Sequence, residues 1–277
     1  MTTQPTSETA DPAMPGAAID LDKVPGHWLL ARMGKRVLRP GGRELTDELL
    51  GHLAVTHETD VVEFAPGLGA TTRLLLDGRP RTYTGIERDE DAAARVRTLL
   101  SGADQSCIVA SAAQSGLADG SASVVFGEAY LTMQPEEQKR HVLDEAYRLL
   151  RPGGRFGLHE LCLRPDTLDA EHQRLVRSEL SRAISVGARP LTVADWRAAL
   201  EAAGFEITNE TTTPMHLLEP RRAIADEGIG GTIRIAFNVA RTPAARRRVG
   251  AMRAAFRRHA DQLGAIGLIA TKPDRGG

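Results

Sequence analysis

A run of apolar and β-branched residues, Asp60-Val61-Val62-Glu63-Phe64, breaks at Ala65-Pro66 into two closely spaced glycines, Gly67 and Gly69, and then into Ala70-Thr71-Thr72, which reads as a helix start. A strand feeding a tight turn into a helix is the repeating unit of open α/β sheets, and its turn is where such sheets meet nucleotides. Glycine takes away the side chain where backbone must approach a ligand closely. About 20 residues further on, where a nucleotide site places its acid, Tyr83-Thr84-Gly85-Ile86-Glu87 reads as a second short strand ending in a carboxylate. A carboxylate there can accept both hydroxyl protons of a ribose.

The alternation continues. The pattern predicts helices over 27–37 and 44–53, strands over 60–65 and 82–87, and helices over 70–76 and 89–100. Strands follow over 107–110 and 122–126, then a helix over 134–150 and a strand over 155–161. Strands alternating with helices imply right-handed crossovers and a parallel sheet, a Rossmann-like doubly wound α/β fold. Beyond it, 167–186 and 192–203 read as helices and 205–212 as a strand. The stretch 217–263 reads as mostly helical with breaks at Gly228–Gly231 and Thr242-Pro243, and 263–272 as a last, antiparallel strand. The core therefore takes about 44–162, 191–214 and 263–273 of a single domain spanning 19–277. Insertions at about 163–190 and 217–262 are expected to form a helical lid over an acceptor. Residues 1–18, rich in Thr, Pro, Ser and Ala, read as a disordered leader.

A net charge of −1 gives no global field for nucleic acid or an anionic membrane. No apolar run approaches the ~18 residues needed to span a bilayer. Two cysteines, Cys107 and Cys162, make no disulfide framework, and a reducing cytoplasm fits them. No Cys/His pair has metal-ligand spacing. Arg246, Arg247, Arg248, Arg253, Arg257 and Arg258 read as the solvated face of a helix whose other face carries Val249, Met252 and Phe256. The late helices offer a face for a homodimer.

Four pieces in order resemble the class I S-adenosylmethionine-dependent methyltransferases, of the small-molecule, ubiquinone/menaquinone-methylase-like type. They are the glycine turn Glu63-Phe64-Ala65-Pro66-Gly67-Leu68-Gly69, the strand ending in Glu87, the stretch Asp119-Gly120-Ser121-Ala122-Ser123-Val124-Val125, and the loop Leu149-Leu150-Arg151-Pro152-Gly153-Gly154-Arg155. The resemblance implies S-adenosyl-L-methionine as cofactor and S-adenosyl-L-homocysteine as product. It implies contacts from Glu63, Ala65, Pro66, Gly67, Leu68, Gly69, Glu87, Arg88, Ser111, Ala112 and Glu128. Two departures stand out: Ala65-Pro66 replaces the family's first glycine and its neighbour, and Ser111 stands where an acid is common near the adenine. Gly41-Gly42-Arg43 is a further candidate, because guanidinium suits the carboxylate of the cofactor.

Methyl transfer to a small, partly apolar molecule by in-line attack needs alignment and a dry pocket. A base is needed only when the acceptor must first lose a proton. His159, His216 and Tyr130 are the catalytic candidates, with Glu160 and Glu219 beside them. His27, Trp28, Tyr130, Met215 and His216 are expected to line the acceptor pocket. A dinucleotide reductase is disfavoured because Thr72 stands where its third glycine belongs. A nucleobase amino-methylase is disfavoured because Gly127-Glu128-Ala129-Tyr130 replaces an Asn/Asp-Pro-Pro-Tyr stretch. The polyamine-binding acids of an aminopropyl transferase are not seen. A methyltransferase-like binding or regulatory protein without activity is the alternative that the altered glycine turn keeps open.

Overall fold

The computed structural model describes residues 12–215 and 220–274. The strands, in chain order, are β1 (Asp60–Phe64), β2 (Thr82–Glu87), β3 (Gln105–Val109), β4 (Ala122–Glu128), β5 (Leu150–Leu163), β6 (Leu191–Thr192), β7 (Glu206–Pro214) and β8 (Leu263–Thr271). Among the described residues they form one sheet in the order β3-β2-β1-β4-β5-β8-β7, with β6 beside β5. The strands β1 to β6 pair in parallel, whereas β8 lies antiparallel to both β5 and β7. The fold is thus a Rossmann-like doubly wound sheet in which, among the described strands, β8 alone runs against the others. Every residue of β1 is buried, as a central parallel strand covered on both faces requires.

The helices are α1 (Gly26–Arg32), α2 (Gly42–Leu53), α3 (Ala70–Asp77), α4 (Glu90–Arg97), α5 (Glu136–Leu149), α6 (Ala170–Ile184), α7 (Val193–Ala202), α8 (Pro220–Arg241) and α9 (Pro243–Arg258). On one face of the sheet, Val142, Leu143 and Leu149 of α5 and Trp196 and Leu200 of α7 pack against Val125, Phe156 and Leu268. On the other, Leu45, Leu49 and Leu53 of α2, Leu75 of α3 and Val96 of α4 pack against Val61, Phe126 and Ile269. Side-chain caps set several helix starts: Asp89 accepts from Ala92 N–H at 3.0 Å, Asp169 from His172 N–H at 2.9 Å, and Thr192 from Asp195 N–H at 3.1 Å. The fully buried Trp196 donates its indole N–H to the Leu161 carbonyl at 3.1 Å.

The remaining helices build a separate layer. Leu29 and Leu30 of α1, Met33 just after it, Ala245 and Met252 of α9, and Ile184 of α6 pack together. The segment 12–18, expected as part of a disordered leader, forms turns held by Arg95, which donates to the Pro12 and Ala13 carbonyls, and by Arg32, which donates to Gly16 O. The expected break in the late helical stretch is present: Gly228 (φ +72°) interrupts α8, and Thr242-Pro243 separates α8 from α9. No described helix is long and apolar enough to cross a membrane.

Candidate active site

The chain crosses the sheet between β1 and β4, where the order 3-2-1 turns to 4-5. Ligands of open α/β sheets sit in the crevice at the carboxyl ends of the strands at this point. A cavity of about 570 Å³ opens there, within the range of small-molecule sites. Its wall includes Ala65, Pro66, Gly67 and Leu68 from the turn after β1, and Glu87 and Arg88 from the end of β2. Ser111 and Ala112 follow β3, Glu128 and Tyr130 follow β4, and His27 and Trp28 come from α1.

The turn keeps the path that glycine would take. Ala65 holds φ +50° and donates its N–H to the Ile86 carbonyl at 2.8 Å. Gly67 (φ +57°) faces open space, where a Cβ would meet nothing closer than 3.9 Å. Gly69 has a different reason: its φ is +73°, a Cβ there would fall 2.4 Å from Leu99 Cδ1, and it does not line the cavity. Glu87 is buried and organises the same turn. One oxygen accepts from Gly67 N–H at 2.9 Å, the other from Arg88 N–H at 2.8 Å and Asp89 N–H at 3.0 Å. Burial raises its pKa, and these backbone donors oppose the rise. Glu63, also in the wall, accepts from Tyr83 OH at 2.5 Å and Thr72 OH at 2.7 Å, and burial pushes it up to about 7.

At the end of β4 a buried polar network replaces the expected separate candidates. Arg39 donates to Glu128 at 2.6 Å, and Thr46 and Thr71 donate their hydroxyls to the same carboxylate. His159 Nδ1 lies 2.8 Å from the other oxygen. Gly41 N–H donates to His159 Nε2 at 3.0 Å, so Nδ1 carries the proton and donates to Glu128. Burial would raise Glu128, but the Arg39 charge and the His159 and Thr46 hydrogen bonds win and hold it at about 2. Arg39 Nε is buried without a partner, and Arg39 is part of the cavity wall.

The model of the "Methyltransferase domain" family matches residues 62–158. An "Uncharacterized protein" of Haemophilus influenzae is 33% identical over 217 residues, which are 77% of this chain and 84% of that protein. The chain belongs to the class I S-adenosylmethionine-dependent methyltransferases. Among solved structures, a Haemonchus contortus phosphoethanolamine N-methyltransferase 2, in complex with phosphomonomethylethanolamine and S-adenosylhomocysteine, superposes with a TM-score of 0.68. It is 14% identical, and the match covers 91% of this chain and 58% of that one. The [4+2]-cyclase SpnF superposes with a TM-score of 0.62 at 19% identity, covering 83% of this chain and 81% of that one. At such identities the likeness is one of fold.

The methyltransferase takes S-adenosylmethionine as cofactor, and the wall suits it: a carboxylate at the end of β2, a backbone turn with space over Gly67, a serine after β3 and an arginine with an unpaired N–H. Several expected residues lie elsewhere. Arg43 sits on the exposed face of α2, paired with Asp47 at 3.1 Å, and is not in the wall. The buried positions Leu45, Thr46, Leu49 and Leu53 turn it outward. The guanidinium in the wall is Arg39, which precedes Pro40 and is therefore held extended rather than helical. His159 is sealed under Glu128 and does not line the cavity. Glu160 is sealed too, accepting from the Tyr130, Leu131 and Thr132 N–H groups at 2.7–3.1 Å. Met215 packs with Leu161, Leu163 and Val176, outside the wall. His216 and Glu219 fall outside the described residues. Of the described residues of the insertions only Val186 reaches the wall, and none of α8 or α9 does. Sequence reasoning missed Arg36, Leu38, Arg39, Thr71, Met133, Gln134 and Gln138, and only the proline after Arg39 signalled any of them. Among the described residues no His/Cys/Asp/Glu group could hold a metal.

Proposed function

We propose that this methyltransferase methylates a small, partly apolar molecule by in-line attack. The observation that carries the reading is a single cavity walled both by the turn, Glu87 and Ser111 and by Trp28, Leu38, Met133, Val142 and Val186. When bound, S-adenosylmethionine supplies a methyl group activated by a sulfonium. Glu87 would take the ribose hydroxyls, the backbone at Gly67 would lie against the amino-acid tail, Ser111 and Ala112 would flank the base, and Arg39 would meet the carboxylate. The apolar side chains keep water out, which favours a step that neutralises charge.

The polar groups limit the proton chemistry. Burial pushes the Tyr130 hydroxyl well above the usual phenol range, so it stays a donor. Burial lowers His27 to about 4, against the pull of Asp89, so its imidazole is neutral at pH 7 and a weak base. His159 and Glu160 position loops and do not reach the acceptor. Acceptors that are already nucleophilic suit this wall; a nucleic acid does not. Both cysteines are buried and unlinked, with thiols pushed up to about 12 by burial, in keeping with a reducing cytoplasm. The test is transfer of labelled methyl to small amines, phenols and carboxylic acids fractionated by polarity. Methylation of partly apolar fractions is expected. A protein that binds S-adenosylhomocysteine yet methylates nothing in them overturns the reading in favour of a binding protein.

A further inference from the structure

The chain's net charge of −1 hides a local imbalance. Residues 228–260 contain Arg234, Arg241, Arg246, Arg247, Arg248, Arg253, Arg257 and Arg258 and no aspartate or glutamate. Arg247 pairs with Asp22, Arg258 pairs with Glu179, and Arg248 donates to the Leu21 and Val24 carbonyls. Arg234, Arg241, Arg246, Arg253 and Arg257 have no acidic partner among the described residues.

Beyond the break at Gly228, α8 is apolar on two sides. Inward, Arg234 Nε, Ile235 and Asn238 meet the turn at Gly34, and Asn238 donates to Met33 O at 3.1 Å. Outward, Ile229, Ile233 and Phe237 recur every four residues and are 68%, 65% and 61% exposed. The exposed Ala236 and Ala240 lie between them. Helical spacing puts Arg234 and Arg241 along one edge of this ridge, with the Arg241 guanidinium 5.4 Å from the Phe237 ring centre. A helix that is apolar on two opposite sides is ordinarily covered on both. Residues 1–11 hold no Ile, Leu, Val or Phe with which to cover it. A second copy laid antiparallel against the ridge would bring the two unneutralised arginine edges together. Nucleic acid would meet the arginines but leave the isoleucines and phenylalanine without an apolar partner.

We propose that the outer face of α8 docks on an anionic phospholipid surface, with Ile229, Ile233 and Phe237 entering the headgroup boundary and Arg241 and Arg234 along its edge meeting lipid phosphates. The surface is separate from the cavity, so the proposal does not depend on the acceptor. The full chain is mixed with vesicles of phosphatidylcholine alone or with roughly 30% phosphatidylglycerol, and bound protein is recovered by flotation. Binding to the anionic vesicles only is expected, and it falls as salt is raised. Ile233→Asp or Phe237→Asp should lower partitioning at least ~10-fold. Arg234→Ser with Arg241→Ser should lower it by ~5-fold per arginine. These positions are exposed, and unchanged S-adenosylhomocysteine binding confirms that each variant is folded. Phe237→Trp should add fluorescence that shifts to the blue on anionic vesicles. No flotation, flotation that Ile233→Asp leaves unchanged, or a solution dimer that Ile233→Asp dissociates would each overturn the proposal.

Discussion

Glu128 can stay ionised in a buried place only because Arg39, Thr46, Thr71 and His159 all converge on it. Removing the cation from such a pair strands a buried charge, which costs about 3–5 kcal/mol. Arg39→Ala should therefore destabilise the fold by roughly that amount in urea unfolding. Arg43→Ala, at an exposed i,i+4 pair, should change stability by less than about 0.5 kcal/mol. The two glycines of the turn separate in the same way. Gly67→Ala is strained by its positive φ but has room, so it should cost about 1 kcal/mol of stability while lowering affinity for S-adenosylhomocysteine ~10-fold by filling ligand space. Gly69→Ala meets Leu99 as well, so its loss should be mainly of stability, about 2–3 kcal/mol. At this scale Glu87 and Gly67, picked out by their places after the second and first strands, both line the cavity. The sequence misled where a side chain's direction depends on tertiary packing. Arg39 and Arg43 are chemically alike in sequence, and only the buried stripe of α2 and the proline after Arg39 tell them apart.

Most strands and helices follow their local pattern, but α1 stops at Arg32 rather than Val37, and β5 runs from Leu150 to Leu163 through the Pro152-Gly153-Gly154 stretch that reads as a stop. The helices on the carboxyl edge were harder to place, since amphipathicity says that a helix packs but not against what. The structure ties the first half of α8 to the strap between α1 and α2. Glu227 accepts from the N–H groups of Arg36 and Val37 at 2.7 and 2.8 Å, and Asp226 accepts from Arg43 N–H at 3.0 Å. Both carboxylates are nearly sealed, with side chains 1% and 2% exposed, and Lys35 lies 3.9 and 3.8 Å from them. That strap carries Arg36, Leu38 and Arg39 into the cavity wall. Glu227→Ala should thus weaken S-adenosylhomocysteine binding several-fold although α8 never reaches the cavity, and Glu227→Gln, which keeps the backbone acceptor, should restore most of it. Calorimetric titration of the two variants checks this.

For the molecule as a whole, two buried acids oppose each other in pH dependence. The folded pKa of Glu128 is about 2 against an ordinary 4.5, so its stabilising share is complete above 4.5 and is lost as pH falls toward 2. Glu63 is raised from 4.5 to about 7, so folding is weakened as pH climbs through that window and Glu63 ionises. The shift corresponds to about 3 kcal/mol. Glu63→Gln, which keeps acceptors for Tyr83 and Thr72, should flatten the decline in stability between pH 4.5 and 7, seen in urea unfolding at stepped pH. The most direct check of the whole account is titration of S-adenosylhomocysteine into the wild type and Glu87→Ala by calorimetry. Glu87 is the acceptor that holds the Gly67 turn and faces the ligand space. Its loss should weaken binding by about 2–3 kcal/mol, roughly 30- to 150-fold. Equal affinity in the two proteins would contradict the placement of the cofactor at the β1–β4 crossover.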